Sequence, residues 1–305
     1  MLRTIVARVA LTLLALSSPA CSEAGVVVLG DREAPRYRFD PPEVVGELAV
    51  PAKTDNPTLT ADLLEIFFTS ERDGIPADIF VATRSERDAS FGPAERIDAL
   101  SAPGVETSPA VSADGLTLWF ASDRAGGHGD LDIWVATRSA REAAWSVPVN
   151  LDALNSSAKD IPRPIGQHAR VMPMASDRNT RGYYEVLFAS RSQRSAPFTA
   201  PVRVPEIAFP GQSTVDGFLS DDGLTLFYVT GPEFGPADLY VASRRSTSDP
   251  FERGVPLDDL NTPSDERDPW LSADGREFYF SSDRSGQYAI YVAAAHREPA
   301  ASPSP

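Results

Sequence analysis

The sequence predicts an all-β fold: a five-bladed β-propeller with four antiparallel strands per blade, the last blade closed by the N-terminal strand. Three observations carry this. An aromatic residue followed nine positions later by Leu or Ile recurs at intervals of 52 to 54 residues, as Phe39/Leu48, Phe91/Leu100, Trp145/Leu154, Phe198/Ile207 and Phe251/Leu260. Self-similarity at a period of about 40–50 residues marks a propeller or solenoid. An inner pattern of turn and strand signals recurs in step, starting near Pro57, Pro109, Pro162, Gly217 and Pro269. Finally, the two patterns are out of phase. The segment from Phe39 to Leu48 precedes any inner pattern, and the last inner pattern, ending near Ala295, has no aromatic segment after it. The N-terminal segment is therefore expected to complete blade five, which removes an unpaired sheet edge.

Each element follows in order. The innermost strand leads into a turn, read as Ser112-Ala113-Asp114-Gly115, Ser220-Asp221-Asp222-Gly223 and Ser272-Ala273-Asp274-Gly275. Asp-Gly between short apolar runs is a strong hairpin signal, because Gly accepts positive φ without a Cβ clash. Blade one has the looser Thr60-Ala61-Asp62-Leu63, and blade three departs most with Gly166-Gln167-His168-Ala169. The second strand alternates large and small residues around Leu118 and Phe120, the period-2 sign of a pleated strand. The third, Asp-Ile-Trp-Val from Asp132, is β-branched and aromatic. The aromatic-to-Leu segment supplies the fourth, and no helical stretch competes.

The ends read differently. Arg3 and Arg8, an apolar run over residues 9–16 and the small exit Ser18-Pro19-Ala20 have the layout of a secretory signal peptide over residues 1–20. A run of eight residues is too short to span a bilayer core of about 30 Å. The single cysteine, Cys21, follows that exit and excludes an internal disulfide. Residues 16–21 (LSSPAC) resemble a bacterial lipoprotein cleavage box, with Leu16 further from the cysteine than usual. Lipidation at Cys21 is the expectation, and plain secretion with a free thiol the alternative. Residues 21–38 read as a linker, 39–295 as the propeller and 296–305 as a disordered tail.

The chain carries 43 acidic and 28 basic residues, a net charge of −15. Such a balance argues against nucleic acid, whose binding needs Lys and Arg to displace counterions, and against charge-driven adhesion to anionic lipid. The expected contact with membrane is through a lipid anchor alone, in the periplasm or at the outer membrane. A monomer with an envelope protein or a glycan as partner is expected, without a cofactor.

Ser-Ala-Asp-Gly, a strand, Ser-Asp-Arg and Asp-Ile-Trp-Val together resemble the WD40-like repeats of TolB-type propellers and other bacterial envelope proteins, over about residues 39–295. The resemblance implies a fold and a compartment but no activity, since one fold hosts many functions. TolB has a separate domain before its propeller and usually six blades, so this chain is expected to differ from TolB proper.

Several residues are candidates for chemistry. Ser122-Asp123-Arg124, Ser176-Asp177-Arg178, Ser282-Asp283-Arg284 and the variant Ser70-Glu71-Arg72 repeat across blades, which favours a structural role. The same holds for Asp78, Asp132, Glu185 and Asp238. Asp55, Glu106, Asp160, Asp216 and Glu266 stand within three residues of the Pro or Gly that opens each innermost strand. They are expected to ring the channel mouth as a ligand-binding site, where clustered carboxylates would focus negative potential on a cation or cationic ligand. Tyr183, Tyr184, Glu233 and Phe234 break the repeat in blades three and four and are read as a partner surface. His128, His168 and His296 lie too far apart for a transition-metal site, and residues 123–132 miss EF-hand spacing, so no metal is expected. No Gly-x-Ser-x-Gly nucleophile motif occurs, and no catalytic residue is assigned. The reading is a non-catalytic binding propeller. The alternative is a carbohydrate-active hydrolase using channel carboxylates.

Overall fold

Short strands joined by tight turns build each blade outward from the axis. The structure, a computed structural model, describes residues 36–298 apart from residues 181, 233 and 234. Blade one runs from inside to outside as Thr54–Leu59, Glu65–Ser70, Asp78–Thr83 and Glu95–Arg96. Blade two follows as Glu106–Val111, Thr117–Ser122, Asp132–Thr137 and Val149–Asn150. Blade three is Asp160–Pro162, Val171–Ser176, Glu185–Ser190 and Val202–Arg203, and blade four is Ser213–Leu219, Thr225–Gly231, Asp238–Ser243 and Val255–Pro256. Blade five contributes Glu266–Leu271, Glu277–Ser282 and Ala289–Glu298. Its outer place is taken by Arg36–Phe39 and Glu43–Val44, both antiparallel to Ala289–Glu298. The N-terminal strand thus closes the ring, as the out-of-phase repeats predict.

Two boundaries move. Pairing starts at Arg36 rather than Phe39 and continues to Glu298, so residues 296–298 belong to blade five and not to the expected tail. The chain stays extended there because the N-terminal strand offers it a ladder of partners. The signal peptide, Cys21, Glu233 and Phe234 lie outside the described residues.

The turns are held by one recurring device. Ser112 Oγ donates to Asp114 (2.6 Å), which accepts the Leu116 N–H, and the Thr117 N–H returns to Ser112 Oγ. Ser220/Asp222 and Ser272/Asp274 repeat it, and Thr60/Asp62 does so in blade one. Gly115, Gly223 and Gly275 take φ of 77°, 70° and 71°. Leu63 takes the same place at φ 64° and Ala169 at 48°, where a Cβ costs about 1–2 kcal/mol. Leu63 is fully buried, and packing offsets that strain.

The long-period signature is explained by two sets of arginines. Arg84, Arg138, Arg191 and Arg244 directly follow the third strands and lie 4.4–4.5 Å from the ring centroids of Phe91, Trp145, Phe198 and Phe251. Each also donates Nε to a turn carbonyl, of Leu63, Gly115, Ala169 or Gly223. The arginines of the Ser-x-Arg motif, Arg72, Arg124, Arg178 and Arg284, donate to the carbonyls of Leu48, Leu100, Leu154 and Leu260. In Phe91/Leu100, Trp145/Leu154 and Phe251/Leu260 the aromatic and the leucine, nine apart, are therefore the two ends of one segment gripped by two cations. The core lies between neighbouring blades, where the aromatic of one packs on the second strand of the previous one, as Trp145 does on Phe67 (6.1 Å) and Phe198 on Trp119 (6.5 Å). Among the described residues no helix is long and apolar enough to cross a membrane.

Phe39→Ala should lower stability by about 3–5 kcal/mol, the usual cost of deleting a buried aromatic. Deletion of residues 36–44 should expose the edge of Ala289–Glu298 and drive aggregation. Thermal melts and size-exclusion profiles indistinguishable from wild type would remove the closure from the stability of the ring.

Candidate functional site

Four of the five innermost strands carry a bulge at the same place. Pairing shifts between Asp55 and Thr58, Thr107 and Ala110, Val215 and Phe218, and Arg267 and Trp270. The bulged residues Asn56, Ser108, Asp216 and Asp268 have φ of 56°, 52°, 55° and 58°. Asn and Asp tolerate this left-handed region better than most residues. Blade three cannot copy it. Proline φ is locked near −65°, and Pro162 stays in register with Met174. The next residue is Arg163.

Arg163 joins all the other blades. Its Nη1 donates to Asn56 Oδ1 (2.9 Å) and Ser108 Oγ (3.4 Å). Its Nη2 donates to Asp268 Oδ1 (2.6 Å) and pairs with Asp216 Oδ1 (3.1 Å). The side chain is 4% exposed, and its Nε is buried without a partner among the described residues. Asp268 also accepts the Asn56 N–H (3.1 Å), which reaches Ser281 Oγ as well. The channel is thereby plugged by one guanidinium and four acceptor side chains.

Over this plug opens a cavity of about 420 Å³. Its wall includes Lys53, Asp55, Tyr184, Asp265, Arg267 and Tyr288. Lys53 Nζ sits 2.8 Å from Asp55 and 5.2 Å from the Tyr288 ring centroid. Arg267 pairs with Asp265 at 2.8 Å, and the Tyr288 hydroxyl donates to Asp265. Burial raises the Asp55 carboxyl, with Lys53 opposing. Burial also raises Asp216, to about 6, against the pull of Arg163. Asp268 is buried too, yet Arg163, Ser281 and the Asn56 N–H hold it below the usual carboxylate value. Burial pushes the Tyr184 hydroxyl up to about 12.

The five acids read from the sequence do not share one position. Asp55 and Asp216 line the cavity. Glu106, Asp160 and Glu266 are at most 1% exposed and turn into their own blades. Each accepts from the serine and the arginine of its Ser-x-Arg motif: Ser122 and Arg124, Ser176 and Arg178, Ser282 and Arg284. Burial raises Glu106. The Ser-Asp-Arg motifs are structural, with Asp123, Asp177 and Asp283 accepting the N–H groups of Val105, Lys159 and Asp265. Asp78, Asp132 and Glu185 likewise serve their blades, through Ser101, Asn150 and Arg203. Asp238 is raised by burial. Tyr184 lines the cavity, whereas Tyr183 is held by Thr180 in the loop beside it. Among the described residues no group of three or more His, Cys, Asp and Glu is placed to hold a metal ion.

Sequence reasoning missed Arg163 and Asp268. The available signal was Pro162-Arg163-Pro164, where other blades place a polar residue before Pro or Gly.

No protein-family model and no curated protein matches the chain. Solved structures do. TolB from Acinetobacter baumannii superposes with a TM-score of 0.51 at 15% identity, covering 83% of this chain and 57% of that one. The chain thus spans little more than half of that protein. An endo-arabinase from Bacteroides thetaiotaomicron gives 0.58 at 14% identity, covering 79% and 94%. An α-L-arabinofuranosidase from Podospora anserina gives 0.53 at 12%, covering 82% and 92%. The shared property is the propeller fold, TolB-type propellers among them.

Arg163→Met should cost about 3–5 kcal/mol, because Asp216 and Asp268 would stay buried without their cation. A second expectation concerns pH. The folded Asp216 carboxyl lies above its unfolded value, so folding takes up a proton between the two. Its contribution to stability grows as pH falls through about 6 and is complete below about 4. Urea midpoints should therefore show wild type gaining on Asp216→Asn as the buffer is taken from about pH 7 to pH 4. A pH-independent difference would exclude this assignment.

Proposed function

We propose that the protein is a non-catalytic binding propeller of the bacterial cell envelope, receiving a small polar ligand or a polar group of a partner in the cavity over Arg163. One observation carries this reading. Each carboxylate at the axis already faces a cation: Asp216 and Asp268 share Arg163, and Asp55 has Lys53. A glycosidase needs one carboxyl to protonate the leaving group and another poised across the scissile bond. Binding asks only for fixed donors, acceptors and aromatic faces, which Lys53, Arg267, Tyr184 and Tyr288 supply. An envelope protein or a glycan fits that lining.

A carbohydrate-active hydrolase is the second reading. It is favoured by the unlike environments of Asp216 and Asp268, one raised and one lowered, as an acid and base pair requires. The fold likeness to an endo-arabinase and an α-L-arabinofuranosidase points the same way. Export, and a lipid anchor at Cys21, rest on the apolar run 9–16, the small-residue exit and the position of the sole cysteine.

Purified protein should release no product from arabinan or from nitrophenyl α-L-arabinofuranoside above the level of Asp216→Asn and Asp268→Asn variants. Turnover by wild type that both variants lose would replace binding with hydrolysis. Cys21→Ala, expressed in a Gram-negative host, should leave the membrane fraction or remain unprocessed. Equal partitioning of mutant and wild type would reject the anchor and favour simple secretion.

A further inference from the structure

At two of the crevices between blades, a Glu that opens the second strand of one blade faces an arginine of the next. Between blades five and one, Arg84 and Arg87 meet Glu277 and Asp274, with Arg87 at 2.5 Å from each acid. Between blades one and two, Arg138 holds both carboxylate oxygens of Glu65 at 2.9 and 2.7 Å, and Arg141 holds Asp62 at 2.7 Å. Between blades four and five, Arg297 faces Asp222 at 3.3 Å. The crevice between blades two and three lacks that pair. Arg194 has Asp114 at 3.2 Å, but Thr117 stands where Glu65 and Glu277 open their strands.

Arg191, the counterpart of Arg138, is thereby left without an acid. Its Nε donates to the Ala169 carbonyl (2.6 Å), and its guanidinium stacks on Phe198 and Trp119 at 4.4 and 5.6 Å. Among the described residues neither terminal nitrogen has a partner. Burial lowers its affinity for the proton and neighbouring Arg194 lowers it further, with no carboxylate opposing. Arg244, next round the ring, is likewise lowered by burial, but there Glu206 and Asp249 oppose the shift. Beside Arg191 opens a cavity of about 470 Å³, walled by Thr117, Trp119, Leu151, Leu154, Pro197 and Phe198.

We propose that this crevice is a binding site for a carboxylate carried on an apolar or aromatic body, separate from the channel mouth. The carboxylate would take the place against Arg191 that Glu65 takes against Arg138, and the body would lie on Trp119 and Phe198. Glu65 shows the geometry that such a group adopts: two oxygens on one guanidinium, a charge-assisted pair in a partly dehydrated slot. The carboxylate has two sources, a free organic acid or the acidic end of a peptide.

Calorimetric titration separates them with three probes: 3-phenylpropionate, acetyl-Gly-Phe with a free C-terminal carboxylate, and acetyl-Glu-Phe-amide. At least one should bind wild type, and Arg191→Gln should weaken it about tenfold or more. Arg191→Lys should recover only part, since an ammonium lacks the planar fork. Because Arg191 also grips a turn, Thr117→Glu provides a test that leaves it in place. The new carboxylate should occupy Arg191, raise the melting temperature and abolish probe binding. Binding confined to phenylpropionate assigns a free acid, and binding by either peptide assigns a partner chain. Failure of all three probes at about 10 mM, equal affinity in Arg191→Gln, or a Thr117→Glu variant that binds and melts like wild type would overturn the site.

Discussion

The ring depends on a single buried cation. Five innermost strands converge where water is scarce, and four present a polar bulged residue to the axis. Alone, Asp216 and Asp268 would repel each other there, and Asn56 and Ser108 would lack a common donor. Arg163 supplies that donor because Pro162 forbids blade three the bulge. A buried guanidinium is costly to dehydrate, and that cost is offset only when its hydrogen bonds are nearly complete. Here three polar contacts are to the other blades' side chains at 3.1 Å or less, and the unpartnered Nε is the exception. Symmetry of the repeat is broken at the one point where a fully symmetric ring would be electrostatically worst.

The plug also divides the channel. On one side lies the cavity with Lys53, Tyr184, Arg267 and Tyr288. On the other, the Asp-Gly turns surround a smaller cavity of about 270 Å³, with Tyr37, Gln167 and Trp270 among its wall. Departures from the repeat gather on the first side: Gly231 and Pro232 stand where other blades place Ser-Asp-Arg, and blade three, which keeps that motif, adds Gly182 and Tyr184. Regular blades spend their acids on holding turns and arginines. Where a blade gives up that role, its polar groups become available to something else. The same logic applies at the circumference, where the substitution of Thr117 for an acid leaves Arg191 facing an open crevice.

Arginine does most of the joining because its fork can serve two masters at once. In each regular repeat one guanidinium stacks on an aromatic ring while its Nε caps a turn, and a second links a serine, a buried acid and a leucine carbonyl. A lysine offers neither the planar face nor the fork. That accounts for arginine at these repeated positions, in a chain with 28 basic residues of which only Lys53 and Lys159 are lysine.

What the sequence determined by itself was everything that is local and repeated. Hairpin turns at Gly115, Gly223 and Gly275, alternating strands, and the phase offset that places Phe39 in blade five all follow from short-range rules applied five times. The structural role of Ser-Asp-Arg was legible for the same reason. The candidate site was legible only in part, because strand period and bulge together decide which face a residue takes, and a shift of one position reverses it. Glu106, Asp160 and Glu266 open their strands and face the blade interior. Asp216 and Asp268 stand two places further on, at the bulge, and face the axis. Sequence spacing alone put Glu266 in the ring and passed over Asp268. Only the tertiary structure decided that Arg163 would meet residues about 50 to 110 positions away, since long-range contacts depend on how five twisted sheets close and not on any pattern within one of them.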